Sequence, residues 1–274
     1  MGSFETILRK AYLFTFIRGL RIWTTYKSQA VFTVLQWILP VFLYFFVASY
    51  LTSQISSSIS AFGGSYIAFF VIGLAFQGYV SAMVASLSQR IRNEEEMGTL
   101  EHLMLSPTRP GAILLYTLLW PILLNSMEAA MVLSIGVYLL GVHLHVNAFA
   151  TALAILLILA SNGGIGMMAA AYTLFAKQGN PISLFFSTFS IFISGVVFPV
   201  TILPPSIRVI AYALPLTYGL EALRYTMLDG ATIQSIMPLI EYLGAACVVT
   251  IPLGLYLFRR AFNFVRNEGT LSGY

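Results

Sequence analysis

The 274 residues are 58% hydrophobic and only 9% charged, whereas soluble domains are roughly 45 to 50% apolar and about 25% charged. This composition excludes an ordinary soluble domain, because the core of such a domain could not bury so large a share of apolar residues. The formal charge of +4 admits a nucleic-acid partner in principle, so the placement of the basic residues decides its meaning. The single cysteine, Cys247, excludes an intramolecular disulfide.

Apolar runs of about 20 residues recur along the chain, which is the length that a helix needs to cross a hydrocarbon layer of about 30 Å. The runs are continuously apolar, whereas the strands of membrane barrels alternate between apolar and polar residues. The fold class is therefore an all-α membrane protein. Hydropathy places six transmembrane helices at about 30–51, 65–87, 111–141, 148–176, 182–200 and 236–258.

The leader, residues 1–29, is basic and precedes the first span. Apolar residues recur in it at helical spacing, which predicts an N-terminal interfacial helix on the cytoplasmic side. A plain basic anchor is an equally good interpretation. No small-residue cleavage pattern follows the first apolar run, so we expect the first span to be retained. The apolar positions are Phe4, Ile7, Leu8, Ala11 and Tyr12.

The loop 88–110, between the second and third spans, is charged and patterned. Asn93 followed by Glu96 has the spacing of a capping box, and acidic residues favour a helix N-terminus. An apolar stripe follows and ends at Ser106-Pro107. The pattern predicts a short amphipathic helix that docks on a partner; the alternative is a solvated loop. The stripe consists of Leu100, Leu103 and Met104.

The third span carries Glu128 near its middle, with Asn125 one turn before it. A carboxylate in hydrocarbon is costly, so it should face the bundle, a cavity or a partner. One interpretation is a substrate path or gate; the other is a protonated carboxyl bonded to a neighbouring helix. The small residues at 161–171 in the fourth span predict close helix packing. His143 and His145 are too few to form a metal site, so none is expected.

The segment after the fifth span, 199–235, is too interrupted by proline to cross the membrane. It should form short helices at the outer surface, before the last span and a cytoplasmic tail at 259–274. The prolines are Pro199, Pro204, Pro205 and Pro215.

The basic residues orient the spans by the positive-inside rule. Only Arg208 and Arg224 fall on one side of the six-span arrangement, and the other twelve fall on the opposite side. Both termini are therefore expected in the cytoplasm, and the basic excess is an orientation signal rather than a sign of nucleic-acid binding. The twelve are Arg9, Lys10, Arg18, Arg21, Lys27, Arg90, Arg92, Arg109, Lys177, Arg259, Arg260 and Arg266.

The loop sequence "EEEMGTLEHLMLSPTRPGAIL" resembles the loop between the second and third spans of type-two ABC exporter permeases. The sequence after the fifth span, with Phe-Pro, Leu-Pro-Pro and Pro-Leu-Thr-Tyr, is similar to the external segment of these permeases, which folds as re-entrant helices. The resemblance implies that the loop is a cytoplasmic coupling helix that enters a groove of an ATP-binding subunit. It maps this contact onto Glu94, Glu95, Glu96, Gly98, Thr99, Leu100 and Glu101.

By the same resemblance, the chain is half of a translocation pathway in the cytoplasmic membrane, paired with a second copy or a close paralogue and with two ATP-binding subunits. It contains no G-x-x-x-x-G-K-[ST] motif, so ATP and Mg are expected in the partner ATPase and no catalytic role in this chain. The Gly-Thr-Leu-Glu sequence resembles drug-resistance and multidrug permeases more than the polysaccharide-exporting branch of the family. The alternatives are a permease for lipid-linked or polysaccharide export and a self-sufficient secondary transporter or channel.

Overall fold

A computed structural model describes residues 19–59, 66–96, 110–176 and 181–268. This part of the chain is helical and contains no strand. The helices are α1 (Arg21–Thr25), α2 (Lys27–Ile59), α3 (Tyr66–Glu96), α4 (Pro110–Tyr138), α5 (Ala148–Ala176), α6 (Pro181–Ile193), α7 (Pro205–Ala213), α8 (Pro215–Leu228) and α9 (Met237–Glu268), with a 3-10 turn at Val200–Ile202.

Five of these helices, α2, α3, α4, α5 and α9, are long and apolar enough to cross a membrane. The prediction of an all-helical membrane protein is therefore confirmed. The fifth predicted span, about 182–200, is represented by α6, whose 13 residues extend about 20 Å, less than a hydrocarbon layer of about 30 Å. The helix stops where Gly195 takes a φ of +79°, a left-handed conformation that glycine adopts readily. Six full helical crossings are thus not confirmed.

Helix α3 lies at the centre of the bundle, in contact with α2, α4, α5, α6 and α8. Its N-terminal half is almost completely buried: Phe69, Phe70 and Ile72 are each no more than 1% exposed. In lipid, close packing rather than the hydrophobic effect holds helices together. Because α3 contacts five other helices, a movement of α3 would displace most of the bundle.

Helix α5 packs against α9 on one side and α3 on the other, and small residues permit both approaches. A Cβ on Gly164 would lie 2.5 Å from the Thr250 carbonyl carbon, and one on Gly166 would lie 2.9 Å from the Met83 carbonyl carbon. Real Cβ atoms essentially never come within 3.0 Å of another heavy atom. The packing role predicted for residues 161–171 is confirmed.

The outer faces of the long helices are apolar. On α2, Phe32, Leu39 and Phe46 are each more than 60% exposed, and on α9 Val248 is 74% exposed. A contiguous apolar surface of this kind is untypical of a protein that meets water. It is the surface expected of helices that face lipid.

Candidate functional site

The first candidate region is the C-terminal end of α3, which carries the acidic residues of the 88–110 loop. The helix has 31 residues and is about 46 Å long, so it exceeds a hydrocarbon layer of about 30 Å by several turns. Asn93 lies inside this helix and accepts a hydrogen bond from Gln89 Nε2 at 2.9 Å. The expected helix start at Asn93 is therefore wrong, because α3 continues to Glu96. Side-chain pairs four residues apart stabilise the helix through this stretch.

The acidic residues predicted to contact an ATPase lie at the end of α3. Glu94 is buried and forms an ion pair with Arg90, while Arg92 Nε donates to Glu96 at 2.8 Å. Carboxylates at a helix C-terminus oppose the helix dipole, and an order with the basic residue first gives the weaker i, i+4 pair. This end of α3 therefore presents negative charge that the helix itself does not favour. The side chain of Glu95 and residues Gly98, Thr99, Leu100 and Glu101 lie outside the described residues.

The second region is a polar layer between α3 and α4. Asn125 Nδ2 donates to the Pro121 carbonyl at 2.7 Å. A Cβ on Gly78 of α3 would lie 3.2 Å from Asn125 Cγ and 3.0 Å from Glu128 Oε2, so both side chains occupy the space left by this glycine. Among the described residues, Glu128 has no hydrogen-bond partner. The structure thus brings Asn125 and Glu128 together at Gly78, whose role was not visible in the sequence.

A hydrogen bond lies beside this layer. The hydroxyls of Tyr79 and Ser126 are 2.7 Å apart, and Ser126 also contacts the Ile122 carbonyl at 2.8 Å. Polar side chains that bond across membrane helices help to fix their register. The pairing of α3 with α4 is therefore defined at the level of Glu128.

The third region is the segment after α6, where prolines start the short elements. Pro199 precedes the 3-10 turn, Pro204 precedes α7, and Pro205 and Pro215 are the first residues of α7 and α8. Proline suits the first helical turn because its missing N–H has no partner there in any case. Short helices rather than one long one follow from this spacing.

Arg224 of α8 entered the sequence analysis as an orientation signal, and the structure gives it specific contacts. It is 3% exposed. Its Nη2 donates to the Gly195 carbonyl at 2.6 Å and its Nε to the Phe69 carbonyl at 3.2 Å. The guanidinium carbon lies 3.4 Å from the centroid of the Phe69 ring. The available signal was that Arg224 is one of only two charged residues in α8, but its partners are distant in the chain.

Beside Arg224 lies a cavity of about 200 Å³ that separates the 194–201 turn from α8. Glu221 lines it, and burial raises the pKa of this carboxyl while the Arg224 charge acts in the opposite direction. Tyr212 and Tyr225 supply aromatic walls. Both charged residues of α8 thus line the cavity.

In the part of the chain that the structure describes, no three His, Cys, Asp or Glu residues stand close enough to hold a metal ion. His143 and His145 lie in the short connection between α4 and α5. The backbone N–H of His145, rather than its imidazole, donates a hydrogen bond to the Met227 carbonyl at 2.8 Å.

Comparison with known proteins gives one family. The family model described as "ABC-2 type transporter" matches residues 13–228, which is well over half of the chain. Comparison with curated protein sequences gives no match. The family implies an ABC ATP-binding partner, and the apolar helices agree with a multi-pass membrane protein. The chain therefore belongs to the ABC-2 type transporter family, as a membrane-embedded permease component of an ABC transporter.

Proposed function

We propose that this chain is the permease subunit of an ATP-driven exporter of the drug-resistance or multidrug branch. It forms half of the translocation pathway with a second copy or a close paralogue, and it works with two copies of an ATP-binding subunit. The observation that carries the proposal is the acidic end of α3. This end extends beyond the hydrocarbon and belongs to the most central helix of the bundle.

The charge at this end supports a contact with a basic surface. Glu96 has a side-chain exposure of 58%, and the three consecutive carboxylates are in an unfavourable position relative to the dipole of α3. A groove lined by basic side chains on the ATP-binding subunit would remove that penalty, because charge-assisted hydrogen bonds are stronger than neutral ones. Force applied at Glu94, Glu95 and Glu96 would then enter the bundle through α3.

The topology follows from where the basic residues stand. Lys27 begins α2, and Arg259 and Arg260 lie near the end of α9. If both ends are cytoplasmic, the number of crossings is even. Five long helices are present in the described residues, so α6 together with the turn at 194–202 completes a sixth crossing. The segment from Pro199 to residue 235 then lies at the external side as a re-entrant element, and both termini face the cytoplasm of a cell membrane.

Glu128 is the proposed polar point of the substrate path or gate. It lies against Gly78 in the spanning part of α4, and no described residue hydrogen-bonds to it, so its carboxyl has unused capacity to accept or donate. A substrate or the second permease copy would satisfy that capacity. The alternative structural role, a protonated carboxyl bonded to a neighbouring helix, requires a partner that the described residues do not provide.

The test uses the complex of this chain with its ATP-binding subunit, in inverted membrane vesicles. The triple variant E94A/E95A/E96A should insert normally but lose ATPase copurification and ATP-dependent accumulation of ethidium, a cationic dye. E95A/E96A is the milder variant, because it leaves the buried Arg90–Glu94 pair intact. E241A, which removes an exposed acid at the start of α9, is the matched control and should behave as the unmodified protein.

Two outcomes separate the parts of the proposal. Normal copurification and normal ATP-dependent accumulation in the triple variant would contradict the coupling role of the α3 end. Copurification of the ATPase without any accumulation of ethidium by the unmodified complex would contradict the multidrug assignment. It would favour a permease for lipid-linked or polysaccharide export.

A further inference from the structure

The outer end of α3 is tied to the external segment at three points. Arg224 bonds both to the Phe69 carbonyl of α3 and to the Gly195 carbonyl of the turn after α6. Tyr66 donates its hydroxyl to the Val197 carbonyl at 2.9 Å. A Cβ on Gly73 would lie 3.0 Å from both the Val196 carbonyl carbon and Arg224 Nη2. The turn and α8 are therefore both fixed to the outer end of α3, beside the cavity that Arg224 lines.

Arg224 lies where these three elements meet. A buried guanidinium is stable only when its charge and donors are satisfied, and here it binds two carbonyls from different elements and stacks on the Phe69 ring. Its partners lie 155 and 29 residues away in the chain. The two carbonyls accept from two different nitrogens of the guanidinium, Nε and Nη2, an arrangement that the single nitrogen of lysine does not offer.

Helix α3 connects the Arg224 contact near its N-terminus to the acidic residues at its C-terminus. It runs from Tyr66 to Glu96 without an internal proline, whereas α2, α4 and α9 contain Pro40, Pro121 and Pro252. Kinks in helices arise mostly at proline. A displacement at one end of α3 is therefore passed to the other end with little loss through bending.

We propose that Arg224 is the positioning residue that makes the external segment follow the movement of α3. This inference rests on the proposed function, since the movement begins where the ATP-binding subunit contacts the acidic end. When nucleotide shifts α3, Arg224 carries the turn at 194–197 and α8 with it. The external segment therefore changes its conformation when ATP binds on the inner side. A single helix, α3, transmits the movement between the two sides.

Arg208 provides a matched control. It is the other arginine of the external segment, and its Nη2 donates to the Thr201 and Leu203 carbonyls. Both acceptors belong to the same segment as Arg208 itself. Loss of Arg208 loosens the segment internally but leaves its tie to α3 intact, so the two arginines separate a local structural effect from transmission.

The experiment measures the rate at which an impermeant maleimide labels single cysteines in the complete complex in nanodiscs, with and without AMP-PNP. The background carries C247S, which removes the one native cysteine. Gln89→Cys reports on the inner end of α3 and Ser206→Cys on the external segment, and both positions are exposed. We expect AMP-PNP to change both rates several-fold. R224Q should abolish the change at position 206 and keep the change at 89, whereas R208Q should keep both.

The outcomes are distinct. If AMP-PNP changes neither rate in the background protein, the proposed coupling function fails, and this inference fails with it. If the rate at position 89 responds but that at 206 does not, or if R224Q keeps the response at 206, the role of Arg224 is refuted while the coupling function stands. If R224Q does not fold, R224K and G73A replace it. R224K keeps the charge with one nitrogen, and G73A forces α3 away from Val196; each should reduce the response at 206 alone.

Discussion

The contact between α3 and α5 is tested by adding one methyl group to Gly166. The new Cβ would lie 2.9 Å from the Met83 carbonyl carbon and closer still to its oxygen, whereas ordinary contacts begin at 3.4 Å. Because the obstacle is helix backbone, α3 and α5 must move apart before the alanine can be accommodated. Overpacking of this kind costs about 1–3 kcal/mol. For a chain of this size that corresponds to a melting temperature lower by roughly 2 to 12 °C.

Gly163, three residues before Gly166 in α5, gives the control. The nearest atom to a Cβ on Gly163 is Met83 Sδ at 3.9 Å, so G163A adds the same methyl group to the same helix without a clash. The assay compares the apparent melting temperatures of G166A and G163A in one detergent at one scan rate, because unfolding of such proteins is often irreversible. Equal melting temperatures would refute the argument that backbone contact between α3 and α5 sets this packing.

Three further variants test other contacts. G78A pushes against the side chains of Asn125 and Glu128 rather than against backbone, so ATP-dependent ethidium accumulation should fall more than the melting temperature; a pure loss of stability would contradict this. Y66F removes the hydrogen bond to the Val197 carbonyl and should cost about 0.5–1.5 kcal/mol, measured as a lower melting temperature; no change would argue against the tie at the outer end of α3. E128Q keeps the size of the side chain but removes its acidity, so accumulation should fall at unchanged expression; normal accumulation would exclude a charge role for Glu128.

Much of the bundle could be predicted from hydropathy alone. Hydropathy predicts the fourth span at about 148–176, and α5 covers Ala148–Ala176, because its apolar run is bounded by polar residues at both ends. It predicts the second span at about 65–87, yet α3 continues to Glu96. Hydropathy detects where a helix leaves lipid but not where it ends in water, and the ion pairs of Arg90 and Arg92 extend α3 there.

The remaining features depend on contacts between distant parts of the chain. The roles of Gly78 and Arg224 arise from residues 29 or more positions away, so no local sequence pattern predicts them. The end of α6 likewise depends on the left-handed conformation of Gly195, which a hydropathy window averages over. Periodicity and turn chemistry are local properties, whereas these sites are defined by tertiary packing.

The central claim, that the acidic end of α3 docks on an ATP-binding subunit, is tested most directly by site-specific cross-linking in membranes. A photoreactive amino acid replaces Glu96 in one sample and Glu241, at the start of α9, in the other. We predict a cross-link from position 96 to the ATP-binding subunit and none from position 241. The absence of that product at position 96, or its formation in equal amounts at both positions, would contradict the claim.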